Sequence, residues 1–348
     1  MHPTKIEPGS LTRMYEEARE SADAVIRLIA ANRERVARVA ARLRDAPPGA
    51  VITIARGSSD NACTYGRYLI ENGLGITSAS LGPSLGSIYQ APAPTAGSLC
   101  FVVSQSGASP DLIAAVERAK AGGAFVVGLI NQPGAPLARL CDEPVILDAG
   151  PEHSVAATKS FVSSMTAFAW IIGEWTADRE LLGAVHDLPA LLRRAWAMDW
   201  TPVDDTLRTA TNLFVLGRGP GLGAAQEAAL KLKETCGLHA EAMSAAEVLH
   251  GPMALVSPGF PILAFAQRDA SLPTSRATAE SLAARGAAVM FAGDGPSGTT
   301  LLPTVAAHPA IEPILMVQSF YRAAANLSIA RGFDPDHPPH LSKVTRTY

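Results

Sequence analysis

The stretch from residue 212 to residue 251 constrains the fold of this chain more than any other. It opens with a short apolar run, Leu213–Leu216, which is typical of a buried strand. Glycines then occupy alternate positions from Gly217 to Gly223, and from about Ala224 the residues follow a helical period. A strand, a glycine loop and a helix in this order predict an α/β unit in which the start of the helix can bind an anion.

Titratable side chains follow in the same stretch. Glu227, Lys231 and Glu234 are spaced to lie on one helix face, and His250 stands just before a Gly-Pro pair. A carboxylate, an ammonium and an imidazole so close in sequence favour acid–base chemistry on an anionic substrate. Simpler interpretations stay open, because Glu227 and Lys231 are also spaced like any pair on an exposed helix, and His250 also fits an ordinary residue at a helix end.

The first half of the chain repeats this arrangement. A strand at Val51–Ala55 is followed by the small-residue loop Arg56–Asn61 and a helix from about Ala62. Further strands are predicted at 99–103, 125–130, 144–147, 260–266 and 287–291, and further helices at 110–121, 156–178, 181–198 and 274–284. Apolar strands that alternate with helices indicate parallel sheets covered on both faces. We therefore predict an α/β fold of two tandem, doubly wound, flavodoxin-like domains from an internal duplication, with ligands at the carboxyl ends of the strands.

The predicted domains follow from these elements. One helix from about Leu11 to Arg44 forms, with the preceding tail, the segment 1–44. The first domain covers 45–180, a linker helix 181–199 and the second domain 200–333. A proline-rich C-terminal tail, 334–348, is predicted to act as a lid that excludes water from a site.

Composition excludes several classes of protein. Of 348 residues, 48% are hydrophobic and 18% are charged, which is enough apolar material for two packed cores. A net charge of −3 without a Lys/Arg cluster argues against nucleic-acid binding. The four cysteines lack metal-ligand spacing, and no signal sequence or membrane-spanning run is present, so we expect a soluble cytoplasmic protein with reduced thiols.

The loop Ser104–Ser109 is a candidate phosphate site. Its hydroxyls and backbone N–H groups lie between a predicted strand and a predicted helix, where several donors can converge on one phosphate. Ser109 alone is also explained as a helix cap before Pro110. The loop Gly57–Ser59 suits sugar hydroxyls better. The glycine loop at 217–223 lacks the rest of a dinucleotide fingerprint, so no nicotinamide cofactor is predicted. The sequence also has no His/Asp/Cys cluster suited to a metal, so no metal is predicted.

Motifs along the chain resemble a known family. They are Arg56-Gly-Ser-Ser, Ser104-Gln-Ser-Gly-x-Ser, Glu152 followed by Val-Ala-Ala-Thr-Lys, Ala229-Leu-Lys-Leu-Lys-Glu, His239-Ala-Glu-Ala, Leu249-His-Gly-Pro and Lys343-Val-Thr. Together they resemble the sugar isomerase (SIS) family, and more closely the isomerase half of glutamine–fructose-6-phosphate aminotransferases. The chain begins Met1-His2-Pro3, without the glutaminase domain of those enzymes. It is therefore most similar to the sugar-isomerase-type glucosamine-6-phosphate deaminases, which release ammonia.

The resemblance implies catalytic roles for four residues. Glu234 would move the proton between C1 and C2, with Lys231 orienting it or polarising the carbonyl. His250 would open the pyranose ring of a substrate bound by the neighbouring subunit, which implies a homodimer with a shared site. Lys343 would lie in the closing tail, where the aminotransferases have a lysine that can form a Schiff base with the ketose.

The resemblance also implies a small-molecule phosphosugar as substrate and a set of residues that bind it. Ser104, Gln105, Ser106 and Ser109 would hold the phosphate, and Val155 and Ala156 would offer backbone contacts near the hydroxyls. The remaining implied substrate-binding residues are Gly57, Ser58, Ser59, Glu152 and Ser342.

The expected reaction is conversion of glucosamine 6-phosphate to fructose 6-phosphate and ammonia without a cofactor. The sequence leaves alternatives open. The same residues fit a fructosamine-6-phosphate deglycase, or an aldose–ketose isomerase acting on a galacto-configured or N-acetylated phosphosugar. A non-catalytic sugar-phosphate sensor is a further alternative, although no helix-turn-helix pattern accompanies the loops.

Overall fold

The computed structural model describes residues 12–343, which form two compact units. The first unit comprises Ser21–Glu152 and Lys159–Asp187. The second unit comprises residues 12–20, His153–Thr158 and Leu188–Lys343. Each unit contains one five-stranded sheet.

The strands are β1 (Ala50–Ile54), β2 (Ser78–Ser80), β3 (Ser98–Ser104), β4 (Phe125–Ile130), β5 (Glu143–Ile146), β6 (Asn212–Gly217), β7 (His239–Ser244), β8 (Pro261–Phe265), β9 (Ala288–Ala292) and β10 (Thr300–Leu302). The helices are α1 (Arg13–Arg19), α2 (Ser21–Asp45), α3 (Ser58–Leu74), α4 (Ser84–Ser87), α5 (Pro110–Ala121), α6 (Pro136–Leu140), α7 (Lys159–Thr176), α8 (Arg179–Trp196), α9 (Thr201–Leu207), α10 (Gly221–Cys236), α11 (Leu272–Ala284) and α12 (Glu312–Ala330). Two short 3-10 helices lie at Glu247–His250 and Pro252–Leu255.

Both sheets have the same topology. The strand order is β2-β1-β3-β4-β5 in the first sheet and, read in the same direction, β7-β6-β8-β9-β10 in the second. Every neighbouring pair is parallel. This is the doubly wound order of flavodoxin-like sheets, so the predicted fold class is confirmed.

The central strands carry apolar side chains on both faces. All five residues of β8 are buried, and in β3 only Ser98 is not. A strand covered by helices on both sides has no solvent face, so the alternation typical of half-exposed strands does not appear. Their sequences therefore read as continuous apolar runs, as predicted.

The prediction of a single N-terminal helix is wrong. The structure has two helices there, α1 and α2, which are separated at Glu20; Leu11 lies outside the described residues. The side-chain amide of Gln318 on α12 donates to the carbonyl of Ala18 at 2.9 Å, within the second unit. Helix α2 instead packs against α7 in the first unit. The helical period continues across Glu20 because both helices bury one face, but they bury it in different units.

All four cysteines, Cys63, Cys100, Cys141 and Cys236, are free and buried. Burial raises the pKa of the Cys236 thiol to about 11 and that of Cys141 to about 12. Among residues 12–343, no helix is long and apolar enough to cross a membrane. Within the same residues, no group of His, Cys, Asp or Glu side chains is arranged to hold a metal ion.

Candidate functional site

Two of the predicted loops lie at the carboxyl edge of the first sheet. Strand β1 pairs directly with β3, so the loops that follow them are neighbours. Gly57, at φ 54°, is the residue before α3, and Ser58 and Ser59 form the first turn of that helix. Both serines are half-buried, which leaves part of each side chain open to solvent at this edge.

The loop after β3 depends on a glycine. Gly107 has φ 62°, and a Cβ placed there would come within 2.6 Å of the Cβ of Ala135. Its N–H donates to Ser104 Oγ at 3.0 Å, and its carbonyl accepts from the N–H of Leu137 at 3.0 Å. These contacts fix the path of the loop, on which Gln105 and Ser106 are half-buried.

Ser109 precedes α5 in the capping position without acting as a cap. Its side chain makes no capping hydrogen bond, and Pro110 occupies the first turn. Because capping does not engage its hydroxyl, the simpler interpretation of Ser109 as a helix cap is not supported. The predicted phosphate role for Ser104, Gln105, Ser106 and Ser109 remains a prediction.

An ion pair that the sequence reasoning missed joins these two loops. Arg56 donates to Asp111 Oδ2 from Nη2 at 2.8 Å and from Nε at 3.0 Å. Asp111 is completely buried in the first turn of α5, and half of the Arg56 side chain is exposed. One sequence signal indicated this ion pair: an arginine lies directly after one predicted strand, and an acid lies at the start of the helix that follows the next predicted strand. The pair holds the two loops together and brings a guanidinium to this edge of the sheet.

Two further acids of the first unit are Asp60, next in sequence to Ser59, and Glu152, which is itself a predicted substrate-binding residue. Burial raises the pKa of Asp60, in the first turn of α3 beside Ser59. Glu152 is 4% exposed and accepts from the N–H of Ser160 at 3.2 Å and from its hydroxyl at 2.6 Å. Because Ser160 lies in the first turn of α7, Glu152 caps this helix; its predicted contact with substrate stays a prediction.

The second unit contains a chain of charged groups along α10. Lys231 Nζ lies 3.5 Å from Glu227 Oε1 and 2.5 Å from Glu234 Oε2. Tyr321 of α12 donates its hydroxyl to Glu227 Oε1 at 3.0 Å. The side chains of Glu227 and Lys231 are 0% and 1% exposed, whereas that of Glu234 is 20% exposed. Glu227 and Lys231 therefore do not form the exposed helix pair that their spacing also allowed. Of the three side chains, that of Glu234 is the one that solvent can reach.

The glycine loop before α10 has a structural explanation. A Cβ at Gly217 would lie 2.4 Å from the carbonyl oxygen of Gly221, and one at Gly221 would lie 2.5 Å from Gln267 Oε1. Glycine is required at position 217, because the clash there is with the backbone at the start of α10, whereas a Cβ at Gly221 would displace the end of the Gln267 side chain. Gly221 and Glu234 lie at opposite ends of α10, roughly 20 Å apart at 1.5 Å per residue. An anion bound at the glycine loop would therefore lie far from Glu234.

The segment His153–Thr158 and the C-terminal tail meet within the second unit. Lys343 Nζ donates to the carbonyl of Ser154 at 2.7 Å. The N–H of Val155 donates to the carbonyl of Asp336 at 3.4 Å, and Ala156 is buried. The structure thus brings Lys343 next to the predicted substrate-binding residues Val155 and Ala156, while Ser342 is exposed beside it.

His250 lies elsewhere in the second unit. It is exposed at the end of a 3-10 helix and lines a cavity of about 310 Å³. Among the described residues, those that line this cavity include Arg218, Leu249 and Thr274, but neither Lys231 nor Glu234. His250 and the α10 charges therefore belong to different surfaces of the same unit.

A family model and several known proteins match this chain. The model of the SIS domain matches residues 45–172 and 206–293, one segment for each sheet. A glutamine–fructose-6-phosphate aminotransferase (isomerizing) from Aeropyrum pernix is 34% identical over 316 residues, which cover 85% of this chain and 51% of that protein. The chain spans about half the length of the curated aminotransferases that it matches.

Two solved structures share the fold. A protein from Silicibacter pomeroyi DSS-3, provisionally described as a phosphosugar isomerase, is 43% identical with a TM-score of 0.90, covering 94% of this chain and 100% of that one. The C-terminal domain of the glucosamine–fructose-6-phosphate aminotransferase from Francisella tularensis has a TM-score of 0.82 at 24% identity, over 96% of this chain and 100% of that one. The second likeness concerns the fold alone.

Proposed function

This chain belongs to the SIS domain family, and we propose that it is a phosphosugar enzyme that converts glucosamine 6-phosphate and water to fructose 6-phosphate and ammonia. The observation that carries the proposal is the arrangement of Glu234. Its carboxylate is accessible, while the lysine that contacts it is buried and paired with a second carboxylate, Glu227. Such a carboxylate is suited to removing a proton next to a carbonyl or imine carbon.

The proposed reaction proceeds by acid–base steps. Ring opening gives an aldehyde at C1 beside the amine-bearing C2. Glu234 takes the C2 proton and returns it to C1, which leaves an imine at C2. Water adds to this imine, and ammonia leaves as the C2 carbonyl forms. Lys231 donates to the carboxylate of Glu234 at 2.5 Å and so holds it in one orientation.

A phosphate-binding role is proposed for the loop after β3. Ser104, Gln105, Ser106 and Ser109 are proposed to bind the phosphate, at the carboxyl edge of a doubly wound sheet where such folds bind ligands. The glutamine–fructose-6-phosphate aminotransferase relationship supports a six-carbon amino-sugar phosphate as the ligand.

A shared site is proposed for His250. Leu249 and Leu255 beside it are 49% and 65% exposed, which suits a surface that a second copy of the chain covers. We therefore propose a homodimer in which His250 acts on the substrate of the neighbouring subunit. If so, mixing His250→Ala with Glu234→Gln subunits should restore about a quarter of wild-type activity, since half of the re-formed dimers are mixed and each keeps one intact site. No recovery from dimers shown to have exchanged would refute the shared site.

The deciding assay follows ammonia and fructose 6-phosphate separately after addition of glucosamine 6-phosphate. Equal appearance of both products supports the deaminase. Ligand binding in a thermal-shift experiment without either product would instead favour a galacto-configured, N-acetylated or amino-acid-linked substrate. If neither product appears and no thermal shift is seen, the glucosamine proposal is refuted.

The role of Glu234 has its own test. Glu234→Gln should lower kcat about 10²- to 10⁴-fold, as expected for loss of one acid–base group, while sugar-phosphate binding remains. Glu241→Gln is the matched control, because Glu241 is an exposed glutamate in the same unit. Near-normal kcat in Glu234→Gln would show that another group is the base.

A further inference from the structure

Helix α1 is bound to the segment that contacts Lys343. Glu17, on α1, is only 6% exposed, although it is charged. Its Oε1 accepts from the N–H of His153 at 2.5 Å, and its Oε2 accepts from the N–H of Ser154 at 3.1 Å. The Ser154 hydroxyl also donates to Oε2. Three donors on one buried carboxylate hold the backbone at 153–154 in a single position, because charge-assisted hydrogen bonds are the stronger class.

The same short segment contacts the tail. Lys343 Nζ donates to the carbonyl of Ser154 at 2.7 Å, and Ser154 is completely buried. That carbonyl lies in one peptide plane with the N–H of Val155, which donates to the carbonyl of Asp336. Since Glu17 binds both the N–H and the hydroxyl of Ser154, it fixes the residue whose carbonyl receives the lysine.

A second contact ties the tail to α1. Asp336 accepts from the N–H of Arg13 at 2.9 Å and from the N–H of Met14 at 2.8 Å, which are groups that the first turn of a helix leaves without intrahelical partners. Its carbonyl accepts from the N–H of Val155. The tail is therefore attached to α1 before it reaches Lys343, and α1 is attached to residues 153–154.

Helix α1 is itself well anchored. Met14 and Ala18 are completely buried, and the ring of Tyr15 lies 4.8 Å from the ring of Trp196, centroid to centroid. Gln318 of α12 binds its last turn. A helix held in this way is a rigid base from which Glu17 can position other groups.

We propose that Glu17 is a positioning residue that, through Ser154, sets the location of the Lys343 ammonium group. The consequence for turnover rests on the proposed function, in which Lys343 belongs to the site. The contact itself does not, so it can be tested without substrate.

The test measures the reactivity of Lys343 towards N-hydroxysuccinimidyl acetate, read by peptide mass spectrometry relative to the exposed Lys233. In the wild type Lys343 should react more slowly than Lys233. In Glu17→Gln its relative rate should rise about tenfold, equivalent to about 1.4 kcal/mol of lost protection. Glu16→Gln is the matched control, because Glu16 on the same helix pairs with Arg19 at the surface, and it should leave the rate unchanged.

Folding is checked by circular dichroism. If Glu17→Gln does not fold, Ser154→Ala serves in its place, since it removes the hydroxyl contact to Glu17 and keeps the backbone. Unchanged Lys343 reactivity in the folded variant would overturn the proposal. If the wild type turns over glucosamine 6-phosphate, Glu17→Gln should also lower kcat more than it raises KM. If the wild type does not turn over this substrate, the proposed function fails, but the labelling result still decides the role of Glu17.

Discussion

The buried charges on α10 allow a quantitative test of how this unit is stabilised. Glu227→Gln keeps the shape of the side chain and removes the negative charge 3.5 Å from Lys231 Nζ. Removing one partner of a buried ion pair costs about 3–5 kcal/mol, because the other charge is left in a low-dielectric environment. Lys231 retains Glu234 at 2.5 Å, so we expect the lower end, about 3 kcal/mol.

The assay is urea denaturation of the wild type, of Glu227→Gln, of Lys231→Met and of the double variant. In a thermal scan the loss in Glu227→Gln corresponds to a decrease in Tm of about 6–12 °C for a unit of this size. The double variant should lose at least about 1 kcal/mol less than the sum of the single variants, because neither charge is then left without the other.

The outcome that refutes this reasoning is additivity. If the two single effects add to within about 0.5 kcal/mol, Glu227 and Lys231 do not act as a pair. Glu241→Gln, at an exposed position, should stay within about 0.5 kcal/mol of the wild type and controls for loss of a carboxylate as such.

Three further predictions concern other parts of the chain. Gly107→Ala should lower the free energy of unfolding by about 2–4 kcal/mol, because the backbone there is left-handed and a Cβ would meet Ala135. A Cβ at Gly57 meets no neighbour, so Gly57→Ala should lower it by only about 1 kcal/mol. Equal losses would contradict the packing argument. Burial raises the pKa of Cys236 from 9.0 to about 11. Between these two pH values the unfolded state loses the thiol proton while the folded state keeps it, which favours unfolding. The contribution of this thiol to stability is therefore fully present below about pH 9 and is lost as the pH approaches 11. The free energies of unfolding of the wild type and Cys236→Ala, measured against pH, should converge over that range. Parallel curves would contradict a raised pKa for Cys236. Truncation before Leu341 should abolish glucosamine-6-phosphate turnover in a kinetic assay, whereas full activity would show that the tail has no part in catalysis.

The parts of the fold that the sequence predicts well are those decided locally. Strand β4 has the predicted bounds, and so does α5, which begins at a proline and ends before two glycines. Both elements have strong signals within a few residues: a continuous apolar run for the strand and an N-terminal proline with helical spacing for the helix.

The elements that were missed depend on distant partners. Strands β2 and β7 lie at the edges of their sheets, and β7 has the sequence His-Ala-Glu-Ala-Met-Ser, which has little intrinsic preference for a strand. Pairing with β6 determines its conformation. Helix α12 is buried on nearly all sides, so it lacks the polar face that makes a helix visible in a sequence.

The candidate site shows the same division. The spacing of Lys231 and Glu234 on one helix predicts that they lie close, and they are in contact. The contacts of Tyr321 with Glu227 and of Glu17 with Ser154 join residues far apart in sequence, so no local pattern could indicate them. The separation of His250 from the α10 charges likewise depends on how the chain folds back after β7.

The attachment of α1 to α12 also bears on biosynthesis. Gln318 follows Ala18 by 300 residues, so at about 5–20 residues per second the ribosome makes α1 about 15–60 s before its partner emerges. During that interval the contacts between α1 and α12 cannot form. The helix that positions the tail is therefore made well before α12 and takes its final place only after α12 has been made.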